Sequence, residues 1–492
     1  MAGFAPAQDQ PDPGAREQQE PTYEAPSILS RADAFGLYDF AGAAAESETG
    51  VVPAADETSG PDPADSKYDG PSVLSGNSGP SQTTQGAMNA FGLYAQIIGV
   101  YDSGLIAPPA VGGKQVPPVA SFGEETNLAA NASHRWRRGK LSIQYRGSYR
   151  KYTNAPVFDG LDQFLQITYH QALLRHLNLD VKNTLGTTTL ANGAFSDFPL
   201  ASLDRLGIPT DELFDSRTNY LQSRVDLTWR PTARLSVDFG GDGFVVRRAS
   251  LLLAGLNGYN ARASVAYRLT PRQTIAASYN NIYFDFQDAF GNARLETAAL
   301  EYSVEIAREW DFSTLAGGVR VDTLGLTEVA LAPAVAALTG ESFAVVTFRN
   351  KLYLPVAEAR LIRRFKAASL SFDYSSTVTP GNGLYLTSRQ TSGAVAYSYI
   401  AGRTLQARVN ASYNQLSALG QTVGKYSNLQ GGMQVLYKLM SDTYLDIRYD
   451  YRHYIARYAT GDVLDDDSNR VSLGVAFSLG ANVTGGLVRG AW

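Results

Sequence analysis

A transmembrane, antiparallel up-and-down β-barrel of about eighteen strands, preceded by a disordered N-terminal arm, is the fold that this 492-residue sequence predicts. Three observations carry the prediction. From about residue 88 to residue 480 apolar and polar side chains alternate with period two, the pattern of a strand with one face in an apolar phase and the other in water. The alternating segments run about ten to fifteen residues, longer than the strands of soluble sheets and long enough to cross a bilayer at a tilt. Short and longer connections follow one another in strict succession, as they do when all tight turns lie on one side of a membrane.

Composition narrows the field before any element is placed. Charged residues make up 18%, while 46 glycines and 28 tyrosines are an unusual abundance. No run of about eighteen uninterrupted apolar residues exists, so a helical membrane span is excluded. The formal charge of −5 hides a division: residues 1–80 hold 14 acidic and 3 basic side chains, leaving the remainder mildly basic. That distribution lacks the concentrated basic patch of a nucleic-acid binder. With no cysteine there is no disulfide, no thiolate metal site and no cysteine-linked lipid anchor. The sequence gives no reason to expect a metal or any other cofactor.

The first element is the arm, residues 1–85, rich in Pro, Gly, Ala, Ser, Asp and Glu. Its sparse apolar surface cannot offset the entropy of ordering, and disorder is expected. Phe4, Ala5, Pro6 and Ala7 before Gln8 read like the end of a signal peptide whose charged and apolar parts lie upstream of Met1; an ordinary Ala/Pro-rich tail reads the same way. Two words recur in order, Pro26-Ser27-Ile28-Leu29-Ser30 as Pro71-Ser72-Val73-Leu74-Ser75 and Ala34-Phe35-Gly36-Leu37-Tyr38 as Ala90-Phe91-Gly92-Leu93-Tyr94. The second copy of the latter opens the first strand, so the first copy is a relic of duplication or a linear binding motif.

The barrel, residues 86–480, follows. Strand centres are expected near 95, 130, 146, 169, 183, 223, 240, 263, 279, 300, 317, 358, 372, 394, 409, 432, 448 and 474. Leu445, Ile447, Tyr449 and Tyr451 against Asp446, Arg448, Asp450 and Arg452 form the clearest alternation, and Leu141, Ile143 and Tyr145 against Ser142, Gln144 and Arg146 repeat it. Eighteen is even, which puts both chain ends on one side; loss of one weaker hairpin would leave sixteen. Short turns are expected at 137–140, 230–234, 270–272, 308–309, 401–403 and 440–442, and long loops at 102–122, 191–216, 325–350, 416–424 and 457–467. Within 325–350 the Ala-rich stretch Thr327 to Thr339 reads as a short helix. Trp136, Trp229 and Trp310 sit beside short turns, with Tyr267, Phe365, Tyr399 and Tyr437 in similar places. Aromatic rings favour the headgroup level, so this end is expected to carry a girdle on the periplasmic side.

The last strand supplies the sharpest local motif. Ser472-Leu473-Gly474-Val475-Ala476-Phe477-Ser478-Leu479 resembles the C-terminal signal by which the outer-membrane assembly machinery recognises barrel clients: polar Ser472, Gly474 two later, then apolar Phe477 and Leu479. The chain continues in a short tail, 481–492, where such barrels commonly end at the signal. Residues 88–480 as a whole resemble bacterial porin-like outer-membrane barrels, including β-barrel porins associated with exopolysaccharide export. The resemblance implies a Gram-negative outer-membrane location, lipid and the assembly machinery as partners, and no enzymatic role. A periplasmic partner of the acidic arm is a further expectation, and the oligomeric state stays open.

With apolar faces toward lipid, Arg146, Arg150, Arg224, Asp226, Asp238, Arg408, Asp446, Arg448, Asp450 and Arg452 are candidates to line a pore, and these together with Asp242, Arg320, Arg360 and Asp373 are expected to point inward or toward the barrel ends. Two readings of this ladder stand side by side: a transverse field that selects polar solutes, or mutual pairing that stabilises a solvated wall. The connection 191–216 is long enough to fold inward as a constriction, with Asp197, Asp204, Asp211 and Glu212 facing Arg205 as candidates; its apolar residues, Phe214 among them, would equally pack on neighbouring loops. His134 and His453 lie near Ser and Tyr without a third orienting group, so a catalytic triad is not indicated. Two functions follow as expectations: a channel for passive diffusion of polar solutes, or the conduit of a polysaccharide-export or secretion assembly.

Overall fold

A computed structural model of the chain describes residues 89–106, 118–189, 214, 216–307, 309–332, 337–338, 340, 342–401, 404–419, 425–440, 442–457 and 463–479. The expected arm (1–85), the tail (481–492) and Asp197, Asp204, Arg205, Asp211 and Glu212 lie outside those residues.

Eighteen strands account for almost all the described residues: β1 (Asn89–Leu105), β2 (Val119–Trp136), β3 (Gly139–Tyr152), β4 (Gly160–Leu174), β5 (Leu177–Thr188), β6 (Thr218–Trp229), β7 (Leu235–Arg248), β8 (Gly255–Thr270), β9 (Gln273–Gln287), β10 (Asn292–Ala307), β11 (Trp310–Ala330), β12 (Phe343–Arg364), β13 (Ala368–Thr379), β14 (Ser388–Ala401), β15 (Leu405–Ala418), β16 (Lys425–Lys438), β17 (Thr443–Arg457) and β18 (Val463–Leu479). Every expected strand centre falls inside its strand, so eighteen stands and sixteen does not. Each strand pairs antiparallel with its sequence neighbours, and β1 pairs with β18 from Leu93↔Leu479 to Asp102↔Arg470, closing the sheet into a barrel. Closure leaves no free pair of edge strands, which distinguishes the fold from two packed sheets.

Side-chain alternation decides which way each strand faces. Ile97, Leu128, Leu221, Phe239, Leu300, Phe372, Val409 and Leu473 are all exposed although apolar, which is what an outward face meeting hydrocarbon requires. The alternate residues point into the barrel. Gly474 lies at the β18–β1 seam, where a Cβ would come within 2.3 Å of the Ile97 carbonyl oxygen; the glycine of the terminal motif thus permits close approach of the closing strands.

The eight connections from β2–β3 through β16–β17 have two to five residues, whereas the other end carries nine, ranging from four residues at 288–291 to twenty-nine at 189–217. Trp229, Tyr267, Tyr399 and Tyr437 point outward beside the short turns, and Arg363 stacks over the rings of Trp310 and Phe365 at 4.8 and 4.4 Å. The aromatic girdle is therefore at the short-turn end. Four expected loops are shorter than their sequences suggested: β1 runs to Leu105 and β2 starts at Val119, β15 runs to Ala418, β18 starts at Val463, and β11 and β12 continue to Ala330 and from Phe343. Thr327 to Ala330, expected as helix, is strand, and helical geometry among the described residues of that connection is confined to Ala337 and Leu338. Thr327 to Ala330 holds a single alanine beside two β-branched residues, and pairing with β12 from Gly325↔Phe348 to Ala330↔Phe343 satisfies its backbone in the ladder. The β12–β13 ladder covers only Ala357–Arg364, so this long hairpin rises past its β13 neighbour.

Candidate conduit and its mouth

The inward face of the barrel divides into a polar part and an apolar part. On β2, β3, β4 and β18 the inward residues Glu125, Arg150, Asp162 and Arg470 form one buried ion-pair network. Arg150 Nε lies 3.2 Å from Glu125 Oε2 and its Nη2 contacts Asp162, while Arg470 Nη2 reaches the same Glu125 oxygen at 2.6 Å. Thr189 completes it, its hydroxyl donating to Asp162 at 2.6 Å. Glu125 and Arg470 bridge across β1, so the network clamps the closing seam. Next along, Asp446 accepts from Gln96 Nε2 at 2.5 Å and Gln434 Nε2 at 2.9 Å, joining β1, β16 and β17.

A second inward network stands on β6, β7 and β8. Arg224 Nε donates to Asp226 at 2.6 Å, Arg262 contacts the other Asp226 oxygen, and Asp242 accepts from Asn260 Nδ2 at 2.9 Å and Gln222 Nε2 at 3.2 Å. Asp238 accepts from the Thr228 hydroxyl at 2.6 Å. On β17 Arg448 and Asp450 pair at 2.6 Å, and Arg452 donates to the Tyr426 hydroxyl at 2.8 Å while lying over the Tyr454 ring at 4.9 Å. The ten charged candidates to line a pore, Arg146 and Arg408 included, are on the inward series of their strands, with the opposite parity to the exposed apolar face. Arg150 is 1% exposed and locked between two carboxylates, so it holds the wall together and is not available to solute.

Arg320 departs from expectation. Its neighbours Val319 and Val321 are buried inward at 3% and 0% exposure, which puts Arg320 on the outer face. The cause is a change of environment along the strand. Toward the long-loop end the inward residues of β7–β12 become apolar: Phe244, Val246, Leu256, Ile282, Phe284, Phe286, Leu295, Leu315, Val319, Val321 and Val356 pack as one buried cluster. There the inside is a dry core, and the polar residues occupy the outside.

At the long-loop end the mouth is narrowed by loop residues that cross it. Phe214, just before β6, is buried with Leu416 of β15, Tyr426 of β16 and Tyr454 and Ala456 of β17. β6 and β15 are nine places apart in the eighteen-strand ring, so the cluster draws residues from opposite sides of the opening. Ile106 after β1, Leu253 between β7 and β8 and Tyr385 between β13 and β14 join the same cluster. Tyr385 stacks on Tyr426 at 6.4 Å and donates its hydroxyl to the Arg457 carbonyl at 2.9 Å. The Ala254 amide donates to the Gly383 carbonyl at 3.0 Å, tying the two loops together. Gly383 has φ +86°, a backbone conformation that side chains other than glycine's rarely adopt, and a Cβ there would also press on the Ala254 carbonyl oxygen at 3.0 Å.

The alternation revealed the inward charges but not their partners Glu125, Gln96, Arg262, Gln434 and Arg470, each ordinary in its own strand. Nor did it reveal the mouth residues Ile106, Leu253 and Tyr385. Pro380-Gly381-Asn382-Gly383 is a turn signature that marks the Tyr385 loop in hindsight.

The sequence matches no protein-family model and no curated protein. Among solved structures, the outer membrane protein OpdK of Pseudomonas aeruginosa is similar with a TM-score of 0.41 and 10% identity over 79% of this chain and 99% of that one. OccK2 (OpdF) of the same organism gives 0.41 and 13% over 80% and 98%, and OpdQ gives 0.39 and 11% over 80% and 98%.

Proposed function

We propose that this protein is an outer-membrane channel for passive diffusion of polar solutes. One observation carries the reading: a closed ring of eighteen strands presents apolar residues outward, and inward it presents ion-paired Arg, Asp and Glu side chains with Gln amides hydrogen-bonded to the carboxylates. A barrel of this size leaves an aqueous passage unless loops fill it. The outward apolar faces and the aromatic girdle support a membrane position with the short turns on the periplasmic side. The inward carboxylates and guanidinium groups offer donors and acceptors in place of hydration water, favouring polar or zwitterionic solutes over apolar ones. The narrowing sits at the mouth, where Ile106, Phe214, Leu253 and Tyr385 meet, and the acidic residues of the 191–216 connection would add negative charge beside a wall containing Arg448 and Arg452.

Purified full-length protein in a planar bilayer tests the proposal. Steady conductance steps are expected. Silence that gives way to conductance once residues 1–85 are removed would instead favour an export conduit gated by the arm, and silence from both forms would remove the channel reading.

A further inference from the structure

We infer that the outer face of β10–β12 holds the phosphate groups of a phosphorylated glycolipid in the outer leaflet; this rests on the reading of that face as membrane-embedded. Read from the short-turn end, the outward residues of β10 are Ile306, Val304, Tyr302, Leu300 and Ala298, then Glu296 and Arg294. Those of β11 are Phe312, Thr314, Ala316 and Gly318, then Arg320 and Asp322; those of β12 are Leu361, Ala359, Ala357, Pro355 and Tyr353, then Lys351 and Arg349. All three strands switch from apolar to charged, and the switch is abrupt.

Height places the switch at the edge of the hydrocarbon. At about 3.3 Å per residue and a tilt near 40°, Arg320 stands about 25 Å above the girdle residue Trp310, which is the thickness of the apolar band of such barrels. Charged side chains deeper in the band would cost about 2–4 kcal/mol each, so this is where a lipid-facing charge is tolerated.

The cluster is also ordered and unbalanced. Glu296 sits between Arg294 (2.9 Å) and Arg320 (3.0 Å), and Asp322 between Arg349 (2.7 Å) and Lys351 (3.9 Å). Register puts Arg294, Asp322 and Lys351 in one row and Glu296 and Arg320 in the next. Within the cluster four cations thus surround two carboxylates. The carboxylates fix the guanidinium groups while Arg349 and Lys351 keep 53% and 50% of their side chains exposed. Tyr259 and Tyr283, rings 5.5 Å apart, continue the Arg294 row along the barrel, a placement that suits sugar and headgroup contact. Below lies apolar surface for acyl chains and above lies excess positive charge, the two requirements of a phosphorylated glycolipid.

Native mass spectrometry of the full-length protein in non-ionic detergent reads this directly, with a hexa-acylated diglucosamine bisphosphate as probe and its dephosphorylated counterpart as control. The bisphosphate is expected to be retained in preference to the control. The double variant Arg349→Gln/Lys351→Gln, which leaves the Glu296 pairs intact, should bind it roughly tenfold more weakly. Asp322→Asn, which raises the positive excess, should bind it more tightly, and inorganic phosphate at millimolar concentration should not displace it. Equal retention of the two lipids, unchanged binding in both variants, or displacement by inorganic phosphate would each overturn the lipid site. Channel conductance of the double variant should equal that of the parent, because these side chains face away from the lumen; loss of the lipid site and loss of the channel reading are therefore separately visible.

Discussion

The walls of this barrel follow opposite rules on opposite sides. Along β1–β4 and β16–β18 the inside is polar over most of its height and held by ion pairs such as Arg150 with Glu125 and Asp162, turning apolar only at the mouth itself, at Tyr152, Tyr426 and Tyr454. Along β7–β12 the inside turns apolar toward the mouth, where Phe284 and Val321 are completely buried, while the outside acquires Arg320, Asp322 and Lys351. The comparison teaches that inward and polar are not synonyms in a membrane barrel. Polarity outside is set by the height of the hydrocarbon, and polarity inside by whether water or packed side chains fill the space.

The largest test of the contrast falls on the polar wall. Arg150→Met leaves Glu125 and Asp162 buried without their shared cation, and a loss of about 3–5 kcal/mol is expected in urea unfolding of the detergent-solubilised protein. A loss below about 1 kcal/mol would mean that water reaches the network, and the wall would then be solvated rather than clamped.

On the apolar wall, Phe284→Ala should cost about 3 kcal/mol by opening a cavity in a packed core, with ion selectivity unchanged in bilayer recordings. A neutral effect on stability together with altered selectivity would show that Phe284 borders the water path. That outcome would collapse the distinction between the two walls.

The smallest stability effect is expected where the walls meet, at the mouth. Phe214→Ala should lower stability less than Phe284→Ala yet raise single-channel conductance, and deletion of residues 194–214 should raise it further and reduce ion selectivity. Unchanged conductance in both, with assembly intact, would place the narrowing elsewhere and leave the mouth cluster as packing between loops.

The strands were legible because period-two alternation persists wherever lipid lies on one side and water on the other. Leu445 to Arg452 shows both signals at full strength, and its neighbours β16 and β18 are fixed by the same contrast. Arg320 lies on the outer face for a physical reason: at the edge of the hydrocarbon the outward series of β10–β12 turns charged while the inward series turns apolar, and the sequence carries no mark of the height at which this happens. The Glu125–Arg470 contact was illegible for another reason. It joins residues 345 positions apart in the chain, and only the closure of the ring brings them together.

That separation also sets an order of events. Gln96 with Asp446, Ser468 with Asp102 and Arg470 with Glu125 are separated by 350, 366 and 345 residues, so the contacts that seal the seam become available only after β18 has arrived. Until then β1 and the growing end are raw edges able to pair with any strand nearby, and such distant contacts form slowly because a long loop must close before they repay its entropy. The Arg470–Glu125 contact therefore marks completion of the ring: a chain cut short anywhere before Arg470 keeps the local Arg150 pairs of β2–β4 but lacks the contact across the seam and retains an open flank.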